Sequence, residues 1–204
     1  MNKMYNMQLK KIGITGGIGS GKTTVCRFFE AVGIPVYQTD VEMKRLINTD
    51  TQLMNAVKKI FGETAYNSEG YNRDIVGKIA FEEPEKLKAL ETVAHPVIKK
   101  DLSEWFAHQK NVPYAICESA LIYEGDFFTH FDKIIAVTAP LEERIERIMF
   151  REWGRLTQLD VQKRIDKQTS QEEIIRRADF VIDNDGEKPL APQVFKIHRK
   201  LVQL

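Results

Sequence analysis

The stretch GITGGIGSGKTT, from Gly13 to Thr24, is the most informative part of the sequence. The pattern G-x-x-x-x-G-K-[S/T] is matched by Gly16, Gly21, Lys22 and Thr23. Glycines let backbone N–H groups turn inward around phosphate oxygens without a Cβ in the way. A helix starting near Lys22 directs the positive end of its dipole at the same oxygens. The stretch predicts a phosphate cradle, and a plain glycine-rich turn is the simpler alternative.

The flanking residues favour the phosphate interpretation. Ile12–Thr15 is a short β-type run, and apolar residues recur at helical spacing after the loop. The pattern requires this strand–loop–helix context. We expect Lys22 to reach the β- and γ-phosphates of a nucleoside triphosphate, and the Thr23 hydroxyl to ligate Mg²⁺. The loop residues assigned to the nucleotide site are Gly17, Ile18, Gly19, Ser20, Gly21, Lys22, Thr23 and Thr24.

Composition limits the classes of protein to consider. The chain has 204 residues, of which 43% are hydrophobic and 29% charged, enough for one domain with a sizeable core. The net charge of +1 is too small to attract nucleic acid or membrane surfaces by long-range electrostatics. The N-terminal MNKMYNMQLKK lacks the apolar region of a signal peptide. We therefore expect a soluble cytoplasmic protein, a monomer or weak homo-oligomer, that binds neither nucleic acid nor membranes.

Short apolar runs alternate with helical segments along the chain. IPVYQTD reads as a second strand ending at Asp40, and PYAICES, DKIIAVT and DFVIDN read as three more. Because these runs are apolar nearly throughout, they favour a parallel sheet covered on both faces. We predict an α/β fold with a five-stranded parallel core from residues 1–40 and 111–204. A helical insert at 41–110 and a shorter helical excursion between Arg151 and Ala178 complete it.

Local signals predict helix boundaries and the state of the cysteines. Pro84 and Pro96 read as first-turn prolines. The segments TQLD at 157–160 and SQEE at 170–173 read as capping boxes, the first with Asp in place of Glu. Cys26 and Cys117 lie in apolar segments, which favours buried free thiols over a disulfide.

Loops of this kind occur in kinases, switch GTPases, motors and transporters, so other motifs must distinguish between these classes. The sequence contains no N-K-x-D motif for reading guanine, and its D-x-x-G match at 183–186 lies too late to be a switch. No strand ends in the paired acids of a water-activating ATPase. YAICES ends in the single Glu118, which either steers a metal through water or is a plain surface end of a strand.

Asp40 ends the second predicted strand, and ligands of parallel sheets bind at the carboxyl ends of strands. A carboxylate there can accept a proton from an attacking hydroxyl. The alternative is an N-cap for a helix beginning at Val41. Position alone does not choose between the two.

Several separated segments together resemble the dephospho-coenzyme A kinase family, over nearly the whole chain. ITGGIGSGKTT is similar to that family's phosphate loop, and GIPVYQTD to its second strand with the catalytic Asp. NRDIVGKIAFEEPEKLKALETVAHP resembles its insert, ESALIYE its D-x-P-L-L-F-E segment, and RIMFR with the later Gln168 and ADFVIDNDG its lid and final strand. Glu118 and Ala120 depart from the usual Asp and Pro.

The resemblance implies a P-loop kinase that converts ATP and dephospho-CoA into ADP and CoA with Mg²⁺, the last step of coenzyme A biosynthesis. It implies a helical lid at about 148–177, with Arg147 and Arg151 as lid arginines. Asn184 and Gly186 would lie near the adenine of ATP. The implied catalytic residues are Asp40 as base, Lys22 and Arg147. The implied acceptor-binding residues are Thr15, Asp40, Arg73, His95, Leu121 and Glu124.

The residues themselves agree in part with these roles. Arg147 and Arg151 are four residues apart, so both can reach one ligand from one helix face. The alternative is a pair of surface ion pairs with Glu143 and Glu146. His95 either caps the helix predicted after it or touches the acceptor, and the four histidines show no metal-ligand spacing.

Two other functions are alternatives to a dephospho-CoA kinase. One is a kinase of another small hydroxyl acceptor, such as a nucleoside or nucleotide. The other is a nucleotide-dependent switch or binding module without transfer. A mere binder needs neither Asp40 nor the lid arginines, so these residues favour a kinase.

Overall fold

An open five-stranded sheet forms the centre of the computed structural model, which describes residues 9–124 and 126–203. The strands of the described residues are β1 (Lys10–Thr15), β2 (Val36–Gln38), β3 (Tyr66–Asn67), β4 (Gly70–Tyr71), β5 (Tyr114–Glu118), β6 (Lys133–Thr138) and β7 (Phe180–Asp183). The helices are α1 (Lys22–Ala31), α2 (Thr39–Thr49), α3 (Thr51–Phe61), α4 (Arg73–Glu82), α5 (Pro84–His108), α6 (Leu141–Arg151), α7 (Gln158–Asp166), α8 (Gln171–Arg177) and α9 (Leu190–Val202).

The large sheet has the strand order β2-β5-β1-β6-β7. β1 runs parallel to both of its neighbours, with Ile12 opposite Ile116 of β5 and Ile14 opposite Ile135 of β6. β7 also runs parallel to β6. The predicted α/β fold with a five-stranded parallel sheet is confirmed.

The strand order creates a crevice at one edge of the sheet. The chain passes from β1 to β2, at one end of the strand order, and from β6 to β7, at the other end. The connections leaving β1 and β6 therefore diverge at the carboxyl ends of these strands, which is where open α/β sheets bind ligands. The glycine loop leaves β1 at this point, and the connection to α6 leaves β6.

Buried apolar side chains explain why the strands read as continuous hydrophobic runs. Ile12, Ile14 and Ile116 are fully buried. The helices α1 and α9 contribute to the same core through Val25, Cys26, Phe29, Val194, Ile197 and Leu201. Cys26 and Cys117 are free and buried as predicted, and burial raises the pKa of the Cys26 thiol.

The chain divides into two compact units: residues up to Tyr37 together with those from His108 onward, and Gln38–Ala107. The second unit contains α2 to α5 with a small antiparallel hairpin of β3 and β4, so it is not wholly helical as predicted. The Tyr66 hydroxyl donates to the Ile47 carbonyl at 2.6 Å, and the Tyr66 and Tyr71 rings meet edge to face. The hydrogen bond holds the hairpin against α2, and the ring contact joins the two strands of the hairpin. The acceptor-binding role of residues 41–110 stays a prediction.

The second strand ends earlier than the sequence predicted. β2 stops at Gln38, and Asp40 is the second residue of α2. An acidic side chain in the first turn interacts favourably with the helix dipole, so the helix begins before Val41. The N-cap residue is Gln38, and the N-cap alternative for Asp40 is therefore wrong.

The long helix α5 contradicts one predicted boundary and confirms another. Pro84 is its first residue, as predicted, but Pro96 lies inside it. The helix continues because Ala94, Ile98 and Leu102 are buried on both sides of the proline, which outweighs one missing hydrogen bond. No helix of the described residues is both long and apolar enough to cross a membrane.

The two predicted capping boxes differ. Thr157 and Asp160 exchange reciprocal hydrogen bonds at the start of α7, as predicted. Before α8, only the Ser170 half forms, because the Glu173 carboxylate pairs with Arg176 at 2.7 Å. The second box is therefore incomplete.

Candidate active site

A cleft of about 240 Å³ opens where the glycine loop meets α6. Its lining residues are Gly19, Gly21, Lys22, Thr23, Thr24, Arg147, Ile148 and Arg151. Lys22, Arg147 and Arg151 bring cations to it, and no carboxylate is among these lining residues. A cleft lined by charges of one sign concentrates ligands of the opposite sign. The arrangement suits a polyanion.

The N-terminus of α1 adds to this positive field. Lys22, Thr23 and Thr24 form its first turn, and no side chain of the described residues caps it with a hydrogen bond. The first-turn N–H groups of a helix and its dipole bind anions. Five of the predicted loop residues line the cleft, whereas Gly17 and Ile18 do not, and Ser20 is fully buried.

Lys22 lies across the glycine loop. Its ammonium group donates to the Gly16 carbonyl at 3.0 Å and to the Gly17 carbonyl at 3.3 Å, and the side chain is largely buried. The lysine therefore rests over the loop while also lining the cleft. An arriving phosphate offers it a stronger, charge-assisted partner.

The two cleft arginines of α6, Arg147 and Arg151, differ in their surroundings. Arg147 pairs with Glu143 and also donates to the Asn184 carbonyl at 3.1 Å, and its Nη1 is buried without a partner in the described residues. Arg151 is mostly exposed and pairs with Glu152 at 3.2 Å. The surface-pair alternative thus holds in part for Arg147, since Glu143 is its partner. Both arginines still line the cleft.

Side chains from distant elements brace the loop. Asn184 Nδ2 donates to the Ser20 carbonyl at 2.8 Å. The Ile18 carbonyl accepts from Arg144, and the Ile18 N–H donates to Gln168. Arg144 was absent from the sequence-based candidates, and Gln168 was cited only for the resemblance. The one available signal was the spacing of Arg144 three residues before Arg147, on the face that meets the loop.

Asn184 and Gly186 follow β7, beside the loop. Asn184 contacts Ser20 and Arg147 rather than lining the cleft, and Gly186 lies near the Glu143 carboxylate. Their predicted place near an adenine ring stays a prediction.

Asp40 is an exposed residue in the first turn of α2. Within the described part of the chain, its carboxylate has no hydrogen-bond or ion-pair partner. Such a carboxylate is available to a ligand. The base role stays a prediction.

Two residues at the carboxyl ends of strands are buried. Glu118 ends β5 and is only 9% exposed, so the surface-end alternative is wrong. Thr15 ends β1, and its hydroxyl is buried without a hydrogen-bond partner in the described residues. The metal-steering role of Glu118 and the acceptor-facing role of Thr15 stay predictions.

The remaining predicted acceptor residues lie on both compact units. Leu121 is 40% exposed and Glu124 is also exposed, in the turn after β5. Arg73 begins α4, and His95 is exposed in the middle of α5. No new helix starts after His95, so its capping alternative is wrong. Contact of these four residues with the acceptor stays a prediction.

The position of Thr23 suits its predicted role as a ligand of Mg²⁺. Its side chain is exposed at the cleft, and its hydroxyl has no hydrogen-bond partner within the described residues. No group of three or more His, Cys, Asp or Glu side chains suited to a metal occurs in the described ranges. Mg²⁺ in nucleotide sites keeps several waters and takes further ligands from substrate phosphates, so the protein need not supply a full set of ligands.

Comparison with known proteins identifies the family. A sequence model described as dephospho-CoA kinase matches residues 10–189. The dephospho-CoA kinase of Bacteroides fragilis is 37% identical over 193 residues, covering 95% of this chain and 93% of its own. A crystal structure of a Thermus thermophilus protein is similar with a TM-score of 0.81 and 32% identity, covering 95% of this chain and 97% of the other.

A more distant structure agrees in fold. The dephospho-CoA kinase from Campylobacter jejuni has a TM-score of 0.71 at 22% identity and covers 96% of this chain and 98% of its own. The family match spans the glycine loop, the second unit and the arginine-bearing helix α6 together. The chain belongs to the dephospho-CoA kinase family, which catalyses the ATP-dependent phosphorylation of dephospho-CoA in the last step of coenzyme A biosynthesis.

Proposed function

We propose that the chain transfers the γ-phosphoryl group of Mg-ATP to the ribose 3′-hydroxyl of dephospho-CoA, giving CoA and ADP. One observation carries the proposal: the cleft at the carboxyl end of β1 combines three cationic side chains with the N-terminus of α1. Phosphoryl transfer depends mostly on positioning and on stabilising the charge of the transferring group. The cleft supplies both.

Lys22 and Arg147 carry the electrostatic part of the reaction. Lys22 leaves the carbonyls of Gly16 and Gly17 for the β- and γ-phosphates, and Arg147 stabilises the charge on the transferring oxygens. Thr23 provides the protein ligand of Mg²⁺, which offsets the charge of the β- and γ-phosphates when bound. Arg151 contacts the phosphates from the exposed end of α6. Asn184 and Gly186 lie beside the adenine.

Asp40 acts as the general base. Its carboxylate accepts the proton of the 3′-hydroxyl as that oxygen bonds to the γ-phosphorus. The bond from the γ-phosphorus to the bridging oxygen breaks, and ADP leaves with the electron pair. The open carboxylate of Asp40, two residues after β2, supports this role.

The proposed acceptor contacts are those that the family resemblance implies. Arg73 and His95 contribute from the insert. Thr15, Leu121 and Glu124 contribute from the core, and Glu118 would help to hold Mg²⁺ in the site. The cytoplasmic location, the monomeric or weakly oligomeric state and the absence of nucleic-acid binding remain predictions.

The substitution Asp40→Asn tests the mechanism. The side chain keeps its size but cannot accept a proton at neutral pH, so we expect kcat with dephospho-CoA to fall by about 10²- to 10⁴-fold. ATP affinity should change little, because the loop and its cations are intact. Turnover is followed as ADP release, and the position of the new phosphate is read from the product by ³¹P NMR.

Asp74→Asn is the matched control. Asp74 is also an acidic residue in the first turn of a helix, α4, so its loss removes the same dipole interaction. This variant should keep wild-type turnover. A 3′-deoxy analogue of dephospho-CoA should support no transfer. Equal kcat for Asp40→Asn and Asp74→Asn would refute the base role, and turnover with the 3′-deoxy analogue would refute the acceptor hydroxyl.

A further inference from the structure

One peptide of the glycine loop is held on both sides by distant side chains. The Ile18 N–H donates to Gln168 Oε1 at 2.8 Å, and the Ile18 carbonyl accepts from Arg144 Nε at 3.0 Å. Gln168 lies in the connection between α7 and α8, and Arg144 lies in α6. The loop is thereby tied to two other elements of the same unit. We call these two hydrogen bonds the Ile18 clamp.

Arg144 fits closely against the loop. Its side chain is 6% exposed, and a Cβ added at Gly17 would come within 2.2 Å of its Nη2. No salt bridge to Arg144 occurs among the described residues, and burial lowers the pKa of its guanidinium. Burying a cation is costly unless its donors are bonded. The Ile18 carbonyl is thus an important partner that compensates this burial.

The Ile18 clamp lies outside the phosphate cleft. The lining of the cleft begins at Gly19 and includes neither Ile18, Arg144 nor Gln168. Phosphates can therefore enter the cleft without breaking either hydrogen bond. The clamp is compatible with the nucleotide-bound loop.

The helix that supplies Arg144 also supplies the cleft arginines. Arg144, Arg147 and Arg151 follow one another at helical spacing along one face of α6. A second bridge joins the other end of the loop, because Arg147 donates to the Asn184 carbonyl and Asn184 donates to the Ser20 carbonyl. The two bridges fix the position of the loop relative to α6 before any ligand arrives.

We propose that Gln168 and Arg144 are positioning residues for phosphoryl transfer, holding the glycine loop in its binding shape and in register with the arginines of α6. This inference rests on the proposed function, since it takes the cleft to be the ATP phosphate site. Neither residue touches a reacting atom. Without the clamp, ATP itself must order a glycine-rich loop, which weakens binding. Lys22 and Arg147 are then less well aligned, which slows transfer.

Gln168→Met tests the clamp. The variant keeps the length of the side chain and removes only the hydrogen-bonding groups. We expect the Kd for ATP to rise by about 2- to 10-fold, the usual range for one hydrogen bond. We also expect kcat to fall while the KM for dephospho-CoA stays unchanged. Arg144→Met should act in the same direction, and Arg144→Lys, which keeps a charged donor, should restore part of the loss.

Gln171→Met is the matched control. Gln171 also accepts a hydrogen bond from a backbone amide, that of Ala139 at 3.3 Å, and it begins the helix after Gln168. Its loss should leave the Kd for ATP and kcat at wild-type values. A common effect of both substitutions would mean a general loss of structure and would overturn the positioning role.

Amide hydrogen exchange at Ile18, measured by NMR without nucleotide, reports on the clamp directly. We expect slow exchange in the wild type and in Gln171→Met, and fast exchange in Gln168→Met. The Ile116 amide, bonded to the Pro35 carbonyl at 2.9 Å, should stay slow in all three proteins. Equal Ile18 exchange in all three proteins would overturn the proposal.

The two proposals fail in different ways. A wild-type protein that does not bind ATP would refute the proposed function. A wild type that binds ATP together with a Gln168→Met variant that binds it equally well, with unchanged kcat, would refute the clamp alone.

Discussion

The glycine loop and the turn after α6 lie in the same compact unit, but they are built in opposite ways. A Cβ added at Gly19 would come within 2.6 Å of the Arg144 carbonyl, and Ser20 in the loop is fully buried. In the turn at 152–157, no atom of the other described residues lies within 4 Å of such a Cβ at Gly154, and Trp153 is 81% exposed. One segment is braced from several sides by distant side chains, and the other is held by local hydrogen bonds and is largely exposed.

This contrast suggests a division of labour. Preorganised donors stabilise developing charge without reorganising during the reaction, so a braced loop suits phosphate binding. Segments with few buried contacts open locally at low free-energy cost, which suits an element that must admit and release substrates. α6 connects the two, since Arg144 is buried against the loop and Arg151 stands at its exposed end.

The largest expected effect, on transfer and ATP binding, comes from removing the cation of the glycine loop, and the matched comparison removes the cation at the exposed end of α6. Lys22→Ala takes the buried cation from the braced loop, so we expect transfer to be abolished and ATP binding to weaken by about 1.5–3 kcal/mol. Arg151→Ala removes an exposed cation, and its effect on ATP binding should be clearly smaller. Calorimetric ATP titrations and ADP-release assays on both variants check the ranking. Equal losses of ATP binding and transfer in the two variants would show that the buried and the exposed cation do not differ in importance.

Two glycines in left-handed conformations offer a smaller, matched test. Gly19 has φ 81° and Gly154 has φ 70°, so an alanine costs about 1–2 kcal/mol of backbone strain at either position. At Gly19 the new Cβ also meets the Arg144 backbone, so the loop must move away from α6. We expect the Kd for ATP to rise by more than about tenfold in Gly19→Ala and to stay at the wild-type value in Gly154→Ala. The Tm and the Kd for ATP of both variants are the measurements. A Gly19→Ala variant that binds ATP as tightly as Gly154→Ala would show that the brace does not hold the loop.

The sequence predicted most of the core because local and tertiary signals agree there. The strands β1, β5 and β6 are buried nearly throughout, as their apolar runs predicted. The prediction was wrong where a local signal was overridden. Pro96 marks a helix start by itself, yet α5 continues through it because the buried residues on either side form one continuous stripe. The hairpin of β3 and β4 has only two residues per strand, too few to show a period.

The sequence predicted those residues of the candidate site that belong to a recognisable motif. Lys22, Thr23 and Arg147 follow from the loop pattern and from the family resemblance, and all three line the cleft. Arg144 and Gln168 act through the backbone of Ile18, from 126 and 150 residues away. A side chain that bonds to a distant peptide group leaves no pattern in its own neighbourhood. Contacts of this kind become visible only when the fold brings the elements together.

The smallest predicted effect is a change in hydrogen exchange at 152–157. Arg151 pairs with Glu152 at 3.2 Å, and phosphate oxygens in the cleft compete with that carboxylate for the guanidinium. Fixing Arg151 on ATP tightens the last turn of α6 and raises the free energy of local opening by about 1 kcal/mol, which is about fivefold slower exchange. Mass spectrometry of peptides covering this turn, with and without Mg-ATP, measures it, and a peptide covering β5 should exchange slowly in both states. The same experiment on Arg151→Ala should show no slowing at 152–157, because the cation that links the turn to the phosphates is gone. If wild-type exchange in the turn is the same with and without ATP, then the turn does not respond to the nucleotide, and its lack of support is only a property of an exposed surface loop.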